Sequence, residues 1–288
     1  MYTTPPASPG HLDWAPEAID PTTPRLAGIH DFLLDGARNT SHDRAAAADV
    51  LTVLPEARRL ARDLATFQRR AIAYLTRRGV DQFLDLGAGV LTAAPPHVVA
   101  RRVTPGARVV YVDNDPVVHA HNELVLRDTD NVAPVYADLT EPGTVLAHPR
   151  VRDLIDPTRP VGVLLGAADL VPDNIDLGTV IGAYRAAMPA GSAMVLSHLT
   201  DDHRRDQVEQ AGAVYARTGR GIYPRGRAEI ARLLAGWGTD LVSPGLVPPS
   251  RWRPEFQEPG MIACLAYVGV AWHWPLLVVA EERSVQSP

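Results

Sequence analysis

Residues 83–89 read FLDLGAG, a short apolar run that leads through a carboxylate into a Gly-Ala-Gly turn. In an open α/β sheet, ligands bind beyond the carboxyl ends of the strands, and glycines there allow the backbone to approach a bound molecule closely. A glycine turn of this length is also compatible with an ordinary tight turn. The neighbouring sequence must therefore distinguish a binding site from a simple turn.

From residue 81 onward, apolar runs of strand length alternate with helical patterns. The predicted strands are 82–86, 108–113, 133–137, 161–166, 193–197, 239–243 and 264–272. The predicted helices are 96–103, 116–127, 143–155, 176–188, 202–217 and 226–237. Pro96 and Pro116 stand where the first turn of a helix tolerates a missing N–H group. The alternation predicts a parallel sheet that is covered by helices on both faces.

An N-terminal helical region precedes this pattern. An apolar stripe at steps of three or four residues predicts one long helix, and it is formed by Leu60, Leu64, Phe67, Ala71 and Leu75. We expect one α/β domain at 81–275 with a helical cap or lid at 25–80. A flexible proline-rich tail at 1–24 and a C-terminal tail at 276–288 are expected to flank them.

The composition excludes several classes of protein. A net charge of −5 gives no reason to expect nucleic-acid binding, which needs a concentrated basic face. All 28 basic residues are arginine, so neither a Schiff-base lysine nor a P-loop lysine is available. The single cysteine, Cys264, rules out an intramolecular disulfide, and no apolar run reaches the roughly 20 residues of a membrane span. We expect a soluble, cytoplasmic protein without a metal site, and a homodimer is compatible with the sequence.

Two classes of cofactor compete for the glycine turn. A dinucleotide site requires G-x-G-x-x-G, but Thr92 stands at the third glycine position. The predicted strand ends also carry a series of carboxylates, namely Asp85, Asp113, Asp115 and Asp138. This acidic rim would repel a pyrophosphate, whereas it suits S-adenosylmethionine (SAM), which has a sulfonium cation and no phosphate. Spacing and charge both favour SAM.

Individual roles follow from position along the strands. Asp113 lies 24 residues after Gly89, near the usual spacing of a carboxylate that binds ribose hydroxyls. Asp115 directly precedes Pro116 and is interpreted as a helix N-cap. Asp138 and the backbone N–H of Leu139 could read the adenine amino group and a ring nitrogen.

Four segments together resemble class I SAM-dependent methyltransferases. They read DLGAG at 85–89, VVYVDNDP at 109–116, YADLTEP at 136–142 and LLGAADLVPDN at 164–174. The chain is most similar to a group of S-adenosyl methyltransferases from high-GC bacteria. That closer likeness rests on HDFLLDGARNTSHDR at 30–44, LPEARRLAR at 54–62 and SRWRP at 250–254.

The resemblance implies a Rossmann-like α/β fold with a seven-stranded, mostly parallel sheet of order 3-2-1-4-5-7-6 and an antiparallel seventh strand. It also implies that SAM is bound and S-adenosylhomocysteine (SAH) is released. The implied cofactor-binding residues are Asp85, Gly87, Ala88, Gly89, Thr92, Asp113, Asn114, Asp138 and Leu139. Gly87 in particular is expected to leave space for the cofactor.

Two departures from the family pattern affect the acceptor side. The family's Gly-Lys-Asp-Asn segment is here ARNT at 37–40, and its fourth strand end, commonly His-Phe-Val-Pro-Asp, is here DLVPD at 169–173. Asp169 thus places a carboxylate where the family commonly has an imidazole. A catalytic role of that family histidine therefore cannot be assigned to Asp169. The family's acceptors are largely undefined.

Methyl transfer to a hydroxyl needs a general base, for which His198, Asp169 and His30 are the candidates. A structural role for His198 at its strand end is left open. The segment 25–44, with Asp31, Phe32, Arg38 and Asn39, is expected to form a lid or else a helix–turn packed on the core. Trp252 could line the acceptor pocket or anchor the last hairpin.

The sequence therefore favours methyl transfer from SAM to a small molecule, such as an intermediate of secondary metabolism. The alternative from another class is a SAM-binding protein without methyl transfer, either pericyclase-like or regulatory. An NAD-dependent oxidoreductase is disfavoured by the missing third glycine.

Overall fold

The computed structural model describes residues 20, 22–91, 94–255 and 264–274. Helices lie at α1 (Leu26–Leu33), α2 (Ser41–Val53), α3 (Ala57–Thr76), α4 (Pro96–Arg101), α5 (Pro116–Leu126), α6 (Pro142–Ala147), α7 (Pro149–Leu154), α8 (Leu177–Ala187), α9 (Arg205–Ala216) and α10 (Arg227–Trp237). Strands lie at β1 (Gln82–Leu86), β2 (Arg108–Asp113), β3 (Val132–Tyr136), β4 (Gly162–Leu165), β5 (Ser192–Leu199), β6 (Asp240–Leu241) and β7 (Ala266–His273). The predicted tails 1–24 and 276–288 lie wholly or mostly outside the described residues, as does Thr92.

The strands form one sheet in the order β3-β2-β1-β4-β5-β7-β6. Strands β1 to β5 pair in parallel, and β7 runs antiparallel to both β5 and β6. The predicted class, strand order and direction of the last strand are therefore confirmed. The chain reverses its winding direction between β1 and β4, which is where open α/β sheets bind ligands.

Each face of the sheet buries its own apolar cluster. Leu84 and Leu86 of β1 face helices α6, α7, α8 and α10, whereas Phe83 faces α3 and α4. The apolar stripe predicted for α3 is real, and its second half packs directly on the sheet. A third cluster joins α1, α2 and the start of α3 to α9.

One predicted helix is divided. Residues 143–155 form α6 and α7, separated by an extended residue, His148. Pro149 disfavours helical geometry at the residue before it and then begins the next helix. Within the described ranges, no helix is long and apolar enough to cross a membrane.

Candidate functional site

A cavity of about 890 Å³ opens at the carboxyl ends of the parallel strands. Its wall includes the turns after β1 to β4, the end of β5, parts of α1, α3 and α9, and the loop 218–223. This volume lies at the upper end of the usual range for small-molecule sites. The cavity therefore has room for a cofactor and a second small molecule.

The glycine turn after β1 forms the floor of the cavity. The N–H groups of Gly87 and Ala88 both donate to the Val112 carbonyl, at 2.9 and 3.0 Å. A Cβ at Gly87, which has φ +74°, would lie 2.3 Å from the Cβ of Ala167. The contact between the β1 and β4 turns thus requires glycine at this position, which also lines the cavity.

Gly89 has the open position instead. Its φ is +63°, and no atom of the described residues lies within 4 Å of the place where a Cβ would project. Its N–H donates to Asp113 Oδ2 at 2.8 Å, while Asp113 Oδ1 accepts from the Asp115 N–H at 2.9 Å. Asp113 is therefore fixed beside the glycine turn. Burial raises the pKa of Asp113, and these two hydrogen bonds act in the opposite direction.

Asp85 is buried and faces the cavity. Its carboxyl accepts no hydrogen bond from the part of the chain that the structure describes. Burial, with a smaller contribution from the charge of Asp113, raises the pKa of Asp85 to about 7. A buried carboxyl without donors provides a place for a ligand cation.

The turn after β2 links the cavity floor to its rim. Asp115 caps α5 as predicted, accepting from the N–H groups of Val117 and Val118. Arg25, which precedes α1, forms an ion pair with Asp115 at 3.2 Å. The N-terminal region is thereby tied to the β2 turn.

Asn114 and Asp138 meet where β2 and β3 end. Asn114 Nδ2 donates to Asp138 Oδ2 at 2.7 Å, and Asp138 Oδ1 accepts from both the N–H and the hydroxyl of Thr140. Burial raises the pKa of Asp138, but the hydrogen bonds outweigh it and the pKa is lowered. Leu139 also lines the cavity, and Arg220 from the opposite loop donates to Asn114 Oδ1.

These features fit SAM. The exposed face of Gly89 leaves open space against the backbone, and Asp85 offers an unshared buried carboxyl to a sulfonium or ammonium group. Asp113 and Asp138 supply oxygens beside that space. Three carboxylates on the same side also disfavour a pyrophosphate.

Asp169 lies on the opposite side of the cavity, in a short 3-10 turn at Ala168–Leu170 directly after β4. Its carboxyl is buried, and burial raises its pKa to about 7 although its own backbone N–H and the charge of Arg225 oppose the shift. Tyr215 of α9 is near enough for the Asp169 charge to add to the burial that raises the tyrosine pKa. Asp169 is therefore suited to accept a proton near neutral pH.

His198 has a different environment. Its Nδ1 lies 2.7 Å from the Leu199 carbonyl and its Nε2 lies 3.0 Å from an Arg225 nitrogen. Since a guanidinium can only donate, Nε2 accepts and Nδ1 carries the proton. The pKa of His198 is lowered to about 4, mainly by burial. The hydrogen bond to Leu199 opposes this shift, and the charge of Arg225 adds to it. Both nitrogens are engaged, so the geometry favours the structural role over that of a base.

Arg225 was missed by the sequence analysis. Its buried guanidinium donates to the carbonyls of Ala168 and Val171, which flank Asp169, and to Asp173. It also pairs with Glu229 at 2.9 Å. Arg225 holds the turn that carries Asp169, and no residue pattern around position 225 indicates this.

The N-terminal segment contributes one predicted residue to the cavity. His30 faces it and is exposed there. Asp31 instead accepts from Arg38 N and Asn39 Nδ2, both at 2.7 Å, and so organises the turn after α1. Phe32 packs under the guanidinium of Arg58.

None of Asp31, Phe32, Arg38 and Asn39 lines the cavity. The segment thus has the packed helix–turn geometry that the sequence left open. Its α1 helix and Leu34 form part of the cavity wall, while residues 35–39 of the turn after α1 do not line it.

Trp252 does not reach the cavity. It is fully buried and makes edge-on contacts with Phe67 at 5.2 Å and Tyr74 at 5.9 Å, both on α3. The structure places it in the core beneath the sheet, which is the anchoring alternative. Among the described residues, no three His, Cys, Asp or Glu side chains are grouped to hold a metal ion.

The sheet order and the acidic strand-end site define a SAM-dependent methyltransferase. The S-adenosyl methyltransferase family model matches residues 12–273, and the chain belongs to that family. It is therefore an enzyme that uses SAM as its cofactor. None of the proteins with curated functions is a match to the chain.

Two solved structures are similar over most of their length. A candidate methyltransferase from Thermobifida fusca is 33% identical, with a TM-score of 0.82 over 89% of this chain and 97% of that one. A DUF574 family protein from Streptomyces avermitilis is 29% identical, with a TM-score of 0.81 over 88% and 98% of the two chains.

Proposed function

We propose that this enzyme transfers the methyl group of SAM to a hydroxyl of a small-molecule acceptor, and that Asp169 accepts the hydroxyl proton. The observation that carries the proposal is the buried Asp169 carboxyl, which faces the cavity and has a pKa of about 7. SAM supplies a methyl group bonded to a sulfonium sulfur, and this sulfur departs as a neutral thioether. The remaining requirements are alignment and removal of one proton.

We assign cofactor binding to the floor and the β2–β3 side of the cavity. Asp113 would accept the ribose hydroxyls, since its position beside Gly89 is fixed by two backbone N–H groups. Asn114, Asp138 and Leu139 would contact the adenine. Asp85 would balance positive charge at the amino or sulfonium group.

In the acceptor half, Arg225 would act as a positioning residue. Its bonds to the Ala168 and Val171 carbonyls hold the Asp169 turn, and its bond to His198 Nε2 fixes the end of β5. Its positive charge favours the ionised form of Asp169. His198 would then support the base through Arg225 rather than act as the base.

The cap is proposed to exclude water from the reaction. Helix α1 and the loop 218–223 both line the cavity, and both are tied to the turn after β2, by the Arg25–Asp115 pair and by the Arg220–Asn114 bond. Water exclusion strengthens electrostatic interactions inside a site. The helical region 25–80 would thus serve as a lid only through α1 and the first half of α3.

The test compares the wild type with Asp169→Asn. SAM affinity is measured by calorimetry, and SAH release is measured by mass spectrometry with a panel of hydroxyl, amine and carbon acceptors. We expect both proteins to bind SAM, and the wild type to release SAH with a hydroxyl acceptor about 10²–10⁴ times faster than the variant. Tight SAM binding without SAH release above the variant would instead favour a SAM-binding protein without methyl transfer.

A further inference from the structure

Beyond the strand ends, the cavity continues between the N-terminal helices and α9. Here its wall consists of aliphatic side chains and alanines, including Leu33, Leu54, Ala61, Val208, Ala211 and Leu265. All six also belong to the third buried cluster. We call this part of the cavity the apolar chamber.

Helix α9 directs one face into the chamber. Val208, Ala211 and Tyr215 are spaced by three and four residues and all line the cavity. Tyr215 is the polar end of this stripe, and its pKa is raised by burial and by the nearby Asp169 charge. The phenol therefore stays protonated, and its hydroxyl can donate a hydrogen bond where the chamber meets the strand ends.

The carboxylates Asp85, Asp113, Asp115 and Asp138 of the cavity lie at the strand ends, while His30 and Arg69 line it from α1 and α3. Asp85, Asp113 and Asp138 belong to the proposed cofactor half, and the rim arginines Arg25 and Arg220 are held by the turn after β2. An acceptor that enters the chamber must leave water for an aliphatic wall. Burial of an ionised group there would be strongly unfavourable, whereas burial of apolar surface would be favourable.

We propose that the acceptor is a predominantly apolar phenol whose ring or alkyl substituent fills the apolar chamber and whose hydroxyl lies between Asp169 and Tyr215. This inference rests on the proposed function. An ionised Asp169 only accepts and Tyr215 donates, so the acceptor atom must donate one hydrogen bond and accept another. A hydroxyl does both, whereas a carboxylate cannot donate, a protonated amine cannot accept, and a neutral aniline nitrogen accepts poorly because its lone pair is delocalised into the ring.

A phenol fits the base better than an aliphatic alcohol. The phenolic proton of tyrosine has a pKa of about 10, within reach of a carboxyl raised towards neutrality, whereas alcohols are far less acidic. In the reaction, the phenol O–H bond breaks and its proton passes to the Asp169 carboxylate. The oxygen forms the new bond to the methyl carbon, and the carbon–sulfur bond breaks with its electron pair going to sulfur.

The experiment measures binding to the SAH-loaded enzyme by calorimetry, so it does not depend on turnover. The ligands are phenol, 4-propylphenol and 4-pentylphenol, with 4-pentylaniline and 4-pentylbenzoate as polar-group controls. We expect affinity to rise about fourfold for each added methylene, which corresponds to burial of that group. The aniline and the benzoate should bind about tenfold or more weakly than the matching phenol.

Matched variants locate the site. Ala211→Phe should fill the chamber and abolish the dependence on chain length, while the same change at Ala213, which is exposed on α9, should leave it intact. Tyr215→Phe should weaken phenol binding about tenfold without changing SAH affinity.

The outcomes separate this inference from the function on which it rests. Absence of SAM and SAH binding would refute the proposed function itself. Normal SAH binding with an affinity that does not change with chain length, or with the aniline or benzoate bound as tightly as the phenol, would overturn the apolar phenol alone. An equal loss in the Ala211 and Ala213 variants would also overturn it.

Discussion

Replacement of Asp169 by asparagine should stabilise the folded protein at pH 8 even as it removes the proposed base. Burial raises the pKa of this carboxyl from 3.8 to about 7. Between those two pH values the folded chain retains a proton that the unfolded chain releases. The free energy of unfolding therefore falls as pH rises through this window, and below it Asp169 makes no pH-dependent contribution.

The size of the effect follows from the same two values. A pKa raised from 3.8 to about 7 amounts to about 4 kcal/mol of destabilisation once the folded group is ionised, of which about 2–3 kcal/mol develops between pH 5 and pH 8. Asparagine has nearly the same shape and does not ionise. The stability advantage of the variant should thus grow by about 2–3 kcal/mol over that interval.

Urea unfolding at pH 5, 6, 7 and 8 provides the assay, with Asp128→Asn as a control at an exposed aspartate. Asp85 has a similarly raised pKa, but it is present in both proteins, so its contribution cancels in the difference. Parallel pH profiles for the wild type and Asp169→Asn would refute the reasoning. They would mean that Asp169 is hydrated or paired in the folded protein.

Three further predictions test the rest of the site. Trp252→Ala should lower the free energy of unfolding by about 3–5 kcal/mol in urea titrations, because a fully buried ring is removed, and should leave SAM affinity unchanged if the ring lies outside the site. Asp113→Ala should weaken SAM binding about 10–100-fold in calorimetry through loss of charged hydrogen bonds, and an unchanged affinity would contradict its ribose role. The acidic limb of kcat at saturating SAM should fall near pH 7, the pKa of Asp169; a limb near pH 4 would point to His198 instead.

Strand positions were predictable because buried parallel strands are continuous apolar runs of strand length. The roles of Asp113 and Asp115 were separable for a local reason, since Pro116 fixes which residue can cap α5. The division of 143–155 into two helices was missed because the apolar spacing continues across Pro149. Pro149 is a local signal for a helix boundary, but the prediction followed the apolar periodicity instead.

The acceptor side was less predictable because its decisive contacts are distant in the chain. His198 and Asp169 are both polar residues at strand ends, and nothing near either one distinguishes them. Arg225 distinguishes them, because it donates a hydrogen bond to His198 Nε2 and another to the Ala168 carbonyl beside Asp169. It lies 27 residues after His198 in the sequence, so neither contact can be read from local sequence. The contact between Gly87 and Ala167 was unpredictable for the same reason, because Ala167 follows another strand.

Buried carboxyls in this protein fall into two groups according to their hydrogen bonds. Asp31 accepts from the turn after α1, and Asp43 accepts from the N–H groups of Arg25 and Thr40. Such carboxyls organise the backbone around them. Asp85 accepts nothing from the described residues, and Asp169 has only its own backbone N–H.

An unsatisfied buried acid costs stability, so its place in a fold is best explained by a ligand that supplies the missing partner. Asp85 and Asp169 follow the adjacent strands β1 and β4, on the two sides of the point where the winding of the sheet reverses. A cationic group of the cofactor could pair with Asp85, and a hydroxyl of the acceptor could donate a hydrogen bond to Asp169. We therefore propose that these two carboxyls, rather than the acidic rim as a whole, mark where the two substrates meet.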